Sequence, residues 1–433
     1  MNIKFTLAVL TFALSYLFIV TERLSPFVVA ILGATSLNLF GVIDSEMFFG
    51  AIEWDVIFLL IGMMIVVHIL SDTGIFEWVA IRLAQLVRGE PFPLLILLCF
   101  STAIFSAFLD NVTTILVMVP VSILLANQLN IDSKPFVIAE VIASNIGGTA
   151  TLIGDPPNLI IGAEANLAFN DFLFHLFPIS MINLLFFFGT SWLLFSSKMK
   201  VSRDLKAKIM DMDSNRAIKN SALLKRSSSV AILLIFGFLM SKKIGVEPGI
   251  LALMGASILL LISGKNAEKS LASVEWHTIF LFIGLFVLVE GLKEVGCLNE
   301  IAKIIMTVTG GSLKRTSFSI LWFSGILSSI LDNIPYTTTM VPVIKDNIIP
   351  NLRDLYPHLS ECQIANAIWW PLAMGACFGG NGTLIGASAN VVAASLSEKS
   401  GCGISFWEFT KYGMLITIQT MLISSIYIWF RYL

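Results

Sequence analysis

The chain has 433 residues, of which 56% are hydrophobic and 13% are charged, and its formal net charge is −2. Soluble globular proteins carry about 25% charged residues, so this chain has too little polar surface to cover a globule in water. The nearly balanced charge gives no general attraction to nucleic acid, and no such partner is expected.

The composition predicts an all-α polytopic membrane protein, because helices satisfy their backbone hydrogen bonds within the bilayer. The segment Lys4–Thr21 lacks a following small-residue cleavage site, which favours a retained first helix over a signal peptide. Further apolar runs are long enough, or nearly so, to cross a hydrocarbon core of about 30 Å. In chain order, we predict spans in the first part of the chain at 4–21, 24–43, 54–71, 136–163 and 172–195.

The stretch 92–128 differs, since it consists of two apolar arms joined at Asp110-Asn111. A charged residue at such a turn predicts a re-entrant hairpin, which is tolerated where protein or a water cavity covers the backbone. The segments 75–88 and 297–309 precede the two hairpins and alternate charged with apolar residues at helical spacing. We interpret them as interfacial amphipathic helices.

An internal repeat organises the chain. The string Glu53–Gly62 reappears as Glu275–Gly284, 222 residues later, and the register holds without a gap from residue 26 to residue 120. It then slips by ten, so that 147–154 matches 379–386. Five crossings per copy is an odd number, which predicts two inverted repeats with interrupted helices meeting near mid-membrane, a common plan of secondary transporters.

These boundaries define three parts. The first repeat is predicted at 1–195, with hairpin 92–128 and broken helix 136–163. The second is predicted at 229–433, with hairpin 316–344 and broken helix 363–397. Together they amount to about ten transmembrane helices, two re-entrant hairpins and two interrupted helices.

The linker 196–228 between the repeats is basic. Between residues 198 and 226 it contains nine Lys or Arg and three Asp, including Lys198 and Lys200. The positive-inside rule places it in the cytoplasm of a multi-pass protein of the plasma membrane, the bacterial inner membrane, with both termini outside. Lys242-Lys243 then lies outside, against the rule.

The hairpin turns carry the first candidate site residues. Ionisable residues within membrane segments are costly and are usually functional. Helix capping is the alternative role for the two Asp residues, and it does not exclude transport. The candidates at the two turns are Asp110, Asn111, Thr114, Asp332, Asn333 and Thr337.

Glycine-rich breaks provide the second group. Glycine permits unwound backbone whose free carbonyl and N–H groups can bind a solute, whereas tight helix packing through small residues is the competing explanation. The candidates at the breaks are Gly148, Thr149, Thr151, Asn158, Gly380, Asn381, Thr383 and Asn390. Asp155 completes the set, and because Ala387 occupies its place in the second copy it is a candidate proton or cation site. Capping of the second half-helix is the alternative role.

Other residues carry weaker signals. His68 and Glu290 occupy equivalent positions at the ends of apolar runs, where a proton relay and simple interfacial placement are both open. The five cysteines show no CxxC spacing and imply no disulfide framework or zinc site. Cys377 lies beside the second break, where a metalloid contact is conceivable but a small buried hydrophobe is more usual.

The residues resemble a known superfamily. The string Gly375–Val391, the second hairpin turn and Gly154-Asp155-Pro156-Pro157-Asn158 are similar to those of ArsB-type arsenite permeases, particularly the branch containing the melanosomal P protein. NhaD-type sodium/proton antiporters and divalent-anion symporters look like more distant relatives. The resemblance implies scaffold and transport domains, elevator-like movement, and a homodimer. An accessory ATPase can assist such permeases.

The sequence therefore predicts a transporter rather than an enzyme, since no paired nucleophile and base, HExxH or Walker motif is present. No cofactor or metal site is expected. The leading hypothesis is proton-coupled efflux of a neutral metalloid hydroxide, arsenite or antimonite, across the lipid bilayer. A sodium/proton antiporter is the first alternative, and an anion permease of the dicarboxylate type or a channel is less favoured. Carboxylates without nearby Lys or Arg in the motifs would repel an anionic substrate.

Overall fold

The architecture is taken from a computed structural model, which describes residues 3–21, 24–196, 199, 201–264 and 267–433. Lys198 and Lys200 of the basic linker lie outside this set. Helices make up most of the described chain, and no strand occurs in these ranges. The prediction of an all-α protein is confirmed.

The first half contains eleven helices before the linker, as far as the chain is described. They are α1 Ile3–Thr21, α2 Pro26–Leu39, α3 Ser45–Gly50, α4 Trp54–Ser71, α5 Ile75–Leu86, α6 Pro91–Phe108, α7 Asn111–Gln128, α8 Lys134–Gly148, α9 Pro156–Ala165, α10 Phe169–His175 and α11 Phe177–Phe195. The linker forms α12 Arg203–Met210 and a 3₁₀ turn, Ser214–Ala217.

The second half follows the same plan in its described residues. Its helices are α13 Ser221–Ile244, α14 Pro248–Ser263, α15 Ala267–Ala272, α16 Trp276–Glu294, α17 Cys297–Thr309, α18 Leu313–Ile330, α19 Asn333–Val343, α20 Ile349–Leu355, α21 Glu361–Gly379, α22 Ser388–Lys399 and α23 Phe406–Arg431, with a π turn at Ile344–Ile348.

Seven helices of the described chain are long and apolar enough to cross a membrane. They are α4, α6, α7, α11, α13, α16 and α23. Shorter apolar helices lie at Ile3–Ile19, Pro26–Leu39 and Pro248–Ser263. Large apolar side chains such as Leu193, Leu261 and Phe430 are exposed on the outer faces, which fits contact with lipid rather than with water.

Helix starts recur at the spacing found in the sequence. The helices α2, α4, α5, α6 and α7 begin 222 residues before α14, α16, α17, α18 and α19 respectively. The packing is reciprocal as well, because α2 lies against α16 and α4 against α14. A Cβ on Gly62 would lie 2.6 Å from the carbonyl carbon of Ala252, and one on Gly284 would lie 2.6 Å from that of Ala30. Contacts that exchange in this way are those of a two-fold relation between halves.

The hairpins and broken helices form the centre. Within each half the first hairpin arm packs on the broken helix, α6 on α8 and α18 on α21. The second arm also packs on the short helix of the other half, α7 on α22 and α19 on α9. Both hairpin turns therefore point into the region where the two helix breaks meet.

Candidate functional site

The two hairpin turns are built alike. Asp110 Oδ1 accepts a hydrogen bond from the Thr113 N–H at 2.9 Å, and Asp332 Oδ1 accepts one from the Ile334 N–H at 2.9 Å. Each carboxylate thus caps the second arm of its hairpin, which satisfies an orphan donor of the first turn. The cap also fixes the following residue, Asn111 or Asn333, as the first residue of a helix facing the centre.

Two asparagines hold the unwound segments. Asn158 Nδ2 donates to the carbonyls of Thr149 and Thr151, at 3.1 and 2.8 Å. Asn390 Nδ2 donates in the same way to the carbonyls of Gly380 and Thr383, at 2.7 and 2.9 Å. Because a buried carbonyl without a partner is costly, these side chains replace the helical bonds lost at each break.

The threonines of the breaks are similarly engaged. The Thr151 hydroxyl donates to the Ala107 carbonyl, and the Thr383 hydroxyl donates to the Ser329 carbonyl at 2.5 Å. Both tie a break to the end of the first hairpin arm. Their hydroxyl protons are therefore used within the protein, and a solute could bond to these hydroxyl groups only through their oxygen acceptors.

Asp155 occupies the centre of the cluster. Its Oδ1 atom accepts hydrogen bonds from Asn333 Nδ2 at 3.1 Å and from Asn111 Nδ2 at 3.3 Å. One carboxylate oxygen thus joins the two hairpins of opposite halves. The residue is fully buried, and its Oδ2 atom has no hydrogen-bond partner within the described chain.

An amide network surrounds this carboxylate. Asn145 Oδ1 accepts from Asn111 Nδ2 at 3.1 Å, and Asn145 Nδ2 donates to Asn381 Oδ1 and Asn390 Oδ1, both at 3.0 Å. The network connects the first hairpin to the second helix break. Asn381 Nδ2 remains as a buried donor without a partner among the described residues, and such orphaned atoms are places where a bound molecule can bond.

A small cavity of about 30 Å³ opens beside the hairpin turns, enough for about one water molecule. Ser388 donates to Asp332 Oδ2 at 2.7 Å, and Thr278 donates to Glu275 Oε2 at 3.3 Å. Burial and the neighbouring Asp110 carboxylate raise the pKa of Glu275, which precedes α16, to about 7. In the described chain, the cavity lining contains no Lys or Arg; its polar members are Asp110, Asn111, Glu275, Thr278, Asn333 and Ser388.

The remaining predicted residues are placed as follows. The Thr114 hydroxyl is buried without a partner among the described residues, and the Thr337 and Thr149 hydroxyls donate to carbonyls of their own helices. Gly148 has no room for a Cβ, which would lie 2.5 Å from the Gly154 carbonyl oxygen, whereas Gly380 approaches Gly386 less closely.

The two relay candidates lie at helix ends. His68 pairs with Asp72 at 3.7 Å near the end of α4. Glu290 lines a separate cavity with Lys293 and Glu164. Among the described residues, His68 and Glu290 interact with these neighbours and not with the Asp155 cluster. Cys377 does lie in the cluster, where its thiol donates to Asn158 Oδ1 at 3.5 Å.

Sequence reasoning missed four polar residues that the structure brings to the centre or next to it: Glu140, Asn145, Glu275 and Ser388. Asn145 and Glu140 could have been found as polar residues within the apolar span that was already identified. Glu275 served only to align the repeat. It directly precedes α16, and the structure places it beside Asp110 at the cavity. Ser388 replaces Pro156 of the first copy and gave no signal of its own.

Comparisons with known proteins agree with this architecture. A model of the family described as "CitMHS: Citrate transporter" matches residues 16–352. An uncharacterized transporter of Mycobacterium tuberculosis is 42% identical over 98% of both chains. The P protein of Sus scrofa is 33% identical over 98% of this chain and 59% of its own length. The crystal structure of the Alcanivorax borkumensis YdaH transporter covers 90% of each chain with a TM-score of 0.50 and 12% sequence identity, a likeness of fold.

Proposed function

The chain belongs to the CitMHS citrate transporter family of membrane transporters, and we propose that it is a proton-coupled secondary transporter for a small solute without net negative charge. Neutral trivalent arsenic and antimony hydroxides are the leading candidates, moved outward across a bacterial inner membrane. The observation that carries the proposal is Asp155, one oxygen of which receives both hairpin asparagines while the other is free.

A carboxylate in this position suits proton coupling. Burying an ionised carboxylate is expensive unless it is paired with a cation or fully hydrogen-bonded, and the groups around Asp155 are neutral amides and the Cys377 thiol. Binding a proton or a cation at Oδ2 removes the charge, so loading the carboxylate and closing the site favour each other. The two hairpins that Asp155 joins belong to different halves, so its charge state bears on how the halves fit together.

The surrounding groups favour a hydroxylated neutral solute. Asn381 Nδ2 is a free donor and Asp155 Oδ2 a free acceptor, and together they match a hydroxyl group that accepts and donates one bond each. Asp110 and Glu275 at the cavity, and Asp332 bonded to the lining residue Ser388, add negative charge that is unfavourable to an anion. Free citrate meets this obstacle, and a citrate ion whose charge is neutralised by a bound cation meets less of it.

Alternating access would use the two-fold arrangement. The packing of both hairpins on both broken helices supports a transport unit made of α6–α9 and α18–α22, and the reciprocal pairs α2–α16 and α4–α14 support a scaffold. We place the linker 196–228 in the cytoplasm and the termini outside, with the repeats inverted. The scaffold is also where we place a homodimer contact. The movement is elevator-like, and the site travels with the transport unit.

Sodium/proton antiport is the second candidate, because the oxygens of Asp155 and its neighbouring amides also suit a hard cation. The test is uptake into proteoliposomes under an imposed pH gradient, with arsenite, antimonite, sodium and citrate offered separately. The variants are Asp155→Asn and, as a control, Asp204→Asn, an exposed carboxylate of the linker.

We expect wild type and the Asp204 variant to exchange arsenite for protons, and Asp155→Asn to fall to the level of empty liposomes. Sodium-driven proton flux without arsenite movement would establish the antiporter instead. Citrate uptake by wild type would overturn the exclusion of anions. Arsenite exchange that survives in Asp155→Asn would remove Asp155 from the coupling.

A further inference from the structure

A second buried carboxylate lies outside the cluster just described. Glu140 is on α8 and has no exposed surface. Its Oε1 atom accepts a hydrogen bond from the Ser122 hydroxyl of α7 at 2.6 Å, and its Oε2 atom has no partner in the described part of the chain. Only Glu140 and Asp155 have, among the described residues, a buried carboxylate oxygen left without a bond.

Among the described residues, no cation accounts for the burial of Glu140. The polar groups that face Glu140 are Ser122 and, on α6, Cys99. The ion pairs recorded for the described residues do not include Glu140. If Glu140 served only the packing of α8, a similar polar pair would be expected in the second half, because α21 packs on α18 as α8 packs on α6. There the position 232 residues later is Leu372, and Ser122 is matched by Ile344 at the offset of 222.

The position of Glu140 links it to the transport site. Ser144 lies one helical turn further along α8, on the same face. Its hydroxyl donates to Ser106 Oγ at 3.0 Å and to the Asn111 carbonyl at 3.5 Å. Asn111 in turn binds Asp155. A stripe of polar side chains therefore leads from Glu140 to the central carboxylate along the interface of α6, α7 and α8.

The Ser122 contact is also placed where α7 can bend. Pro120 lies inside α7, two residues before Ser122, and a proline within a helix removes a backbone hydrogen bond and weakens the helix locally. Movement of this hairpin arm relative to α8 would separate Ser122 from Glu140 and open the carboxylate to water. Return of the arm would bury Glu140 again, together with the proton that it had bound.

We propose that Glu140 is a second proton-binding site, so that each transport cycle carries two protons, one on Asp155 and one on Glu140. Each proton adds to a free oxygen, Glu140 Oε2 or Asp155 Oδ2, when the carboxylate faces one side of the membrane. It leaves from the same oxygen on the other side. The inference rests on the proposed proton coupling and specifies its stoichiometry.

The test is the pH gradient that balances an opposing arsenite gradient in proteoliposomes whose membrane potential is held at zero with potassium and valinomycin, since this balance gives the number of protons per arsenite. Wild type should require two protons, and Glu140→Gln, which keeps the size and the acceptor for Ser122, should require one. A matched control is Leu372→Gln, which places the same amide at the equivalent position of the second half and should leave the wild-type balance.

A wild-type balance at one proton, or a Glu140→Gln balance at two, would overturn the second site while leaving the proposed coupling intact. No balance at any pH gradient would instead overturn the proposed function. An infrared measurement needs no substrate: the spectrum of purified wild type minus that of Glu140→Gln should show a carbonyl band of one protonated carboxyl group at low pH, and this Glu140 band should titrate away as the pH is raised. Ser122→Ala should shift this band, and a Glu140 band unchanged over the whole pH range would contradict proton exchange.

Discussion

The two halves of the chain surround the site with the same helices but with different chemistry. Capping aspartates, carbonyl-binding asparagines and carbonyl-binding threonines occur in both: Asp110 and Asp332, Asn158 and Asn390, Thr151 and Thr383. At the offset of 232, however, Asp155 is matched by Ala387, Asn145 by Cys377, and Glu140 by Leu372. The shared residues build two hairpins and two helix breaks, whereas the buried carboxylates and the bridging amide belong to the first half alone.

This difference separates the residues that build the shared architecture from those to which we assign the proposed proton coupling. A two-fold arrangement needs its backbone satisfied at both breaks, because each break leaves buried carbonyls whose loss of partners costs about 1–3 kcal/mol apiece. One carboxylate between the halves would be enough for the proposed coupling, because Asp155 is hydrogen-bonded to both hairpins through Asn111 and Asn333. Two carboxylates at the axis would repel each other in a medium of low dielectric constant.

The largest effect is expected from moving the central carboxylate across the axis. Asp155→Ala combined with Ala387→Asp should lower proton-coupled transport to near the level of empty liposomes, as expected for loss of a functional ionisable group within the membrane. The reason is that Asn145, which joins Asn111 to the second break, has Cys377 as its counterpart, so a carboxylate at 387 would lack this amide. The measurement is the initial transport rate in proteoliposomes.

Ala387→Asp alone is the control for the added side chain. Recovery of more than a tenth of the wild-type rate in the double variant would show that the halves are interchangeable at this position. The one-sided distribution of charge would then not be a requirement of the mechanism.

The next effect tests the shared architecture. Asn158→Ala and Asn390→Ala each remove bonds to two buried carbonyls, so each should destabilise the protein by about 2–6 kcal/mol. Both variants should lower the thermal unfolding midpoint of the detergent-solubilised protein by similar amounts. Asn299→Ala, an exposed position on α17, is the control and should change little. A large loss for only one of the pair would mean that the two breaks are not held in equivalent ways.

Much of this arrangement was predictable because the repeat aligns the two halves residue by residue. The hairpin turns at Asp110 and Asp332 and the glycine breaks stand out as polar or flexible residues within apolar runs. The capping role of both aspartates follows from their position before the second arm, and the structure has these bonds. Asp155 stands out because its twin is an alanine.

Other features depend on contacts between distant segments. Asn145 reaches Asn381 and Asn390 only because the two broken helices cross. The segment Phe136–Gly148 is buried on every side, so no amphipathic pattern distinguishes the face of Glu140 from the others. Thr151 and Thr383 were predicted to bind the solute, and this stays a prediction. The bonds from their hydroxyl groups to backbone carbonyls depend on where the hairpin arms end, which the sequence does not specify.

A smaller, pH-dependent effect should distinguish the equivalent residues Glu275 and Glu53. The folded state holds the proton of Glu275 up to about pH 7, compared with a reference pKa of 4.5. The folded protein therefore binds more protons than the unfolded chain between these values, and stability falls as the pH rises through this window. Glu275→Gln should remove that fall, as measured by the thermal unfolding midpoint from pH 4.5 to pH 8.

Glu53 provides the comparison. Burial and Glu164 raise its pKa, and Lys345 acts in the opposite direction. Because this cation offsets part of the cost of ionising Glu53, Glu53→Gln should flatten the pH dependence less than Glu275→Gln. An equal or larger effect at Glu53 would show that Asp110 is not what distinguishes the two glutamates.

The smallest effect is expected at Cys377, the counterpart of Asn145. Its thiol donates one weak hydrogen bond to Asn158 Oδ1 at 3.5 Å, and a serine hydroxyl can donate the same bond from nearly the same place. Cys377→Ser should therefore change the half-saturating arsenite concentration by no more than about two-fold, since the net value of one such bond is small.

If the thiol instead binds arsenic directly, Cys377→Ser should weaken the binding of arsenite selectively and leave the binding of other solutes unchanged. Cys402→Ser, a partly buried cysteine between α22 and α23, controls for a general effect of replacing sulfur. A unique loss of arsenite binding at Cys377 would give the second half a chemical role of its own, and the contrast between an architectural half and a coupling half would have to be redrawn.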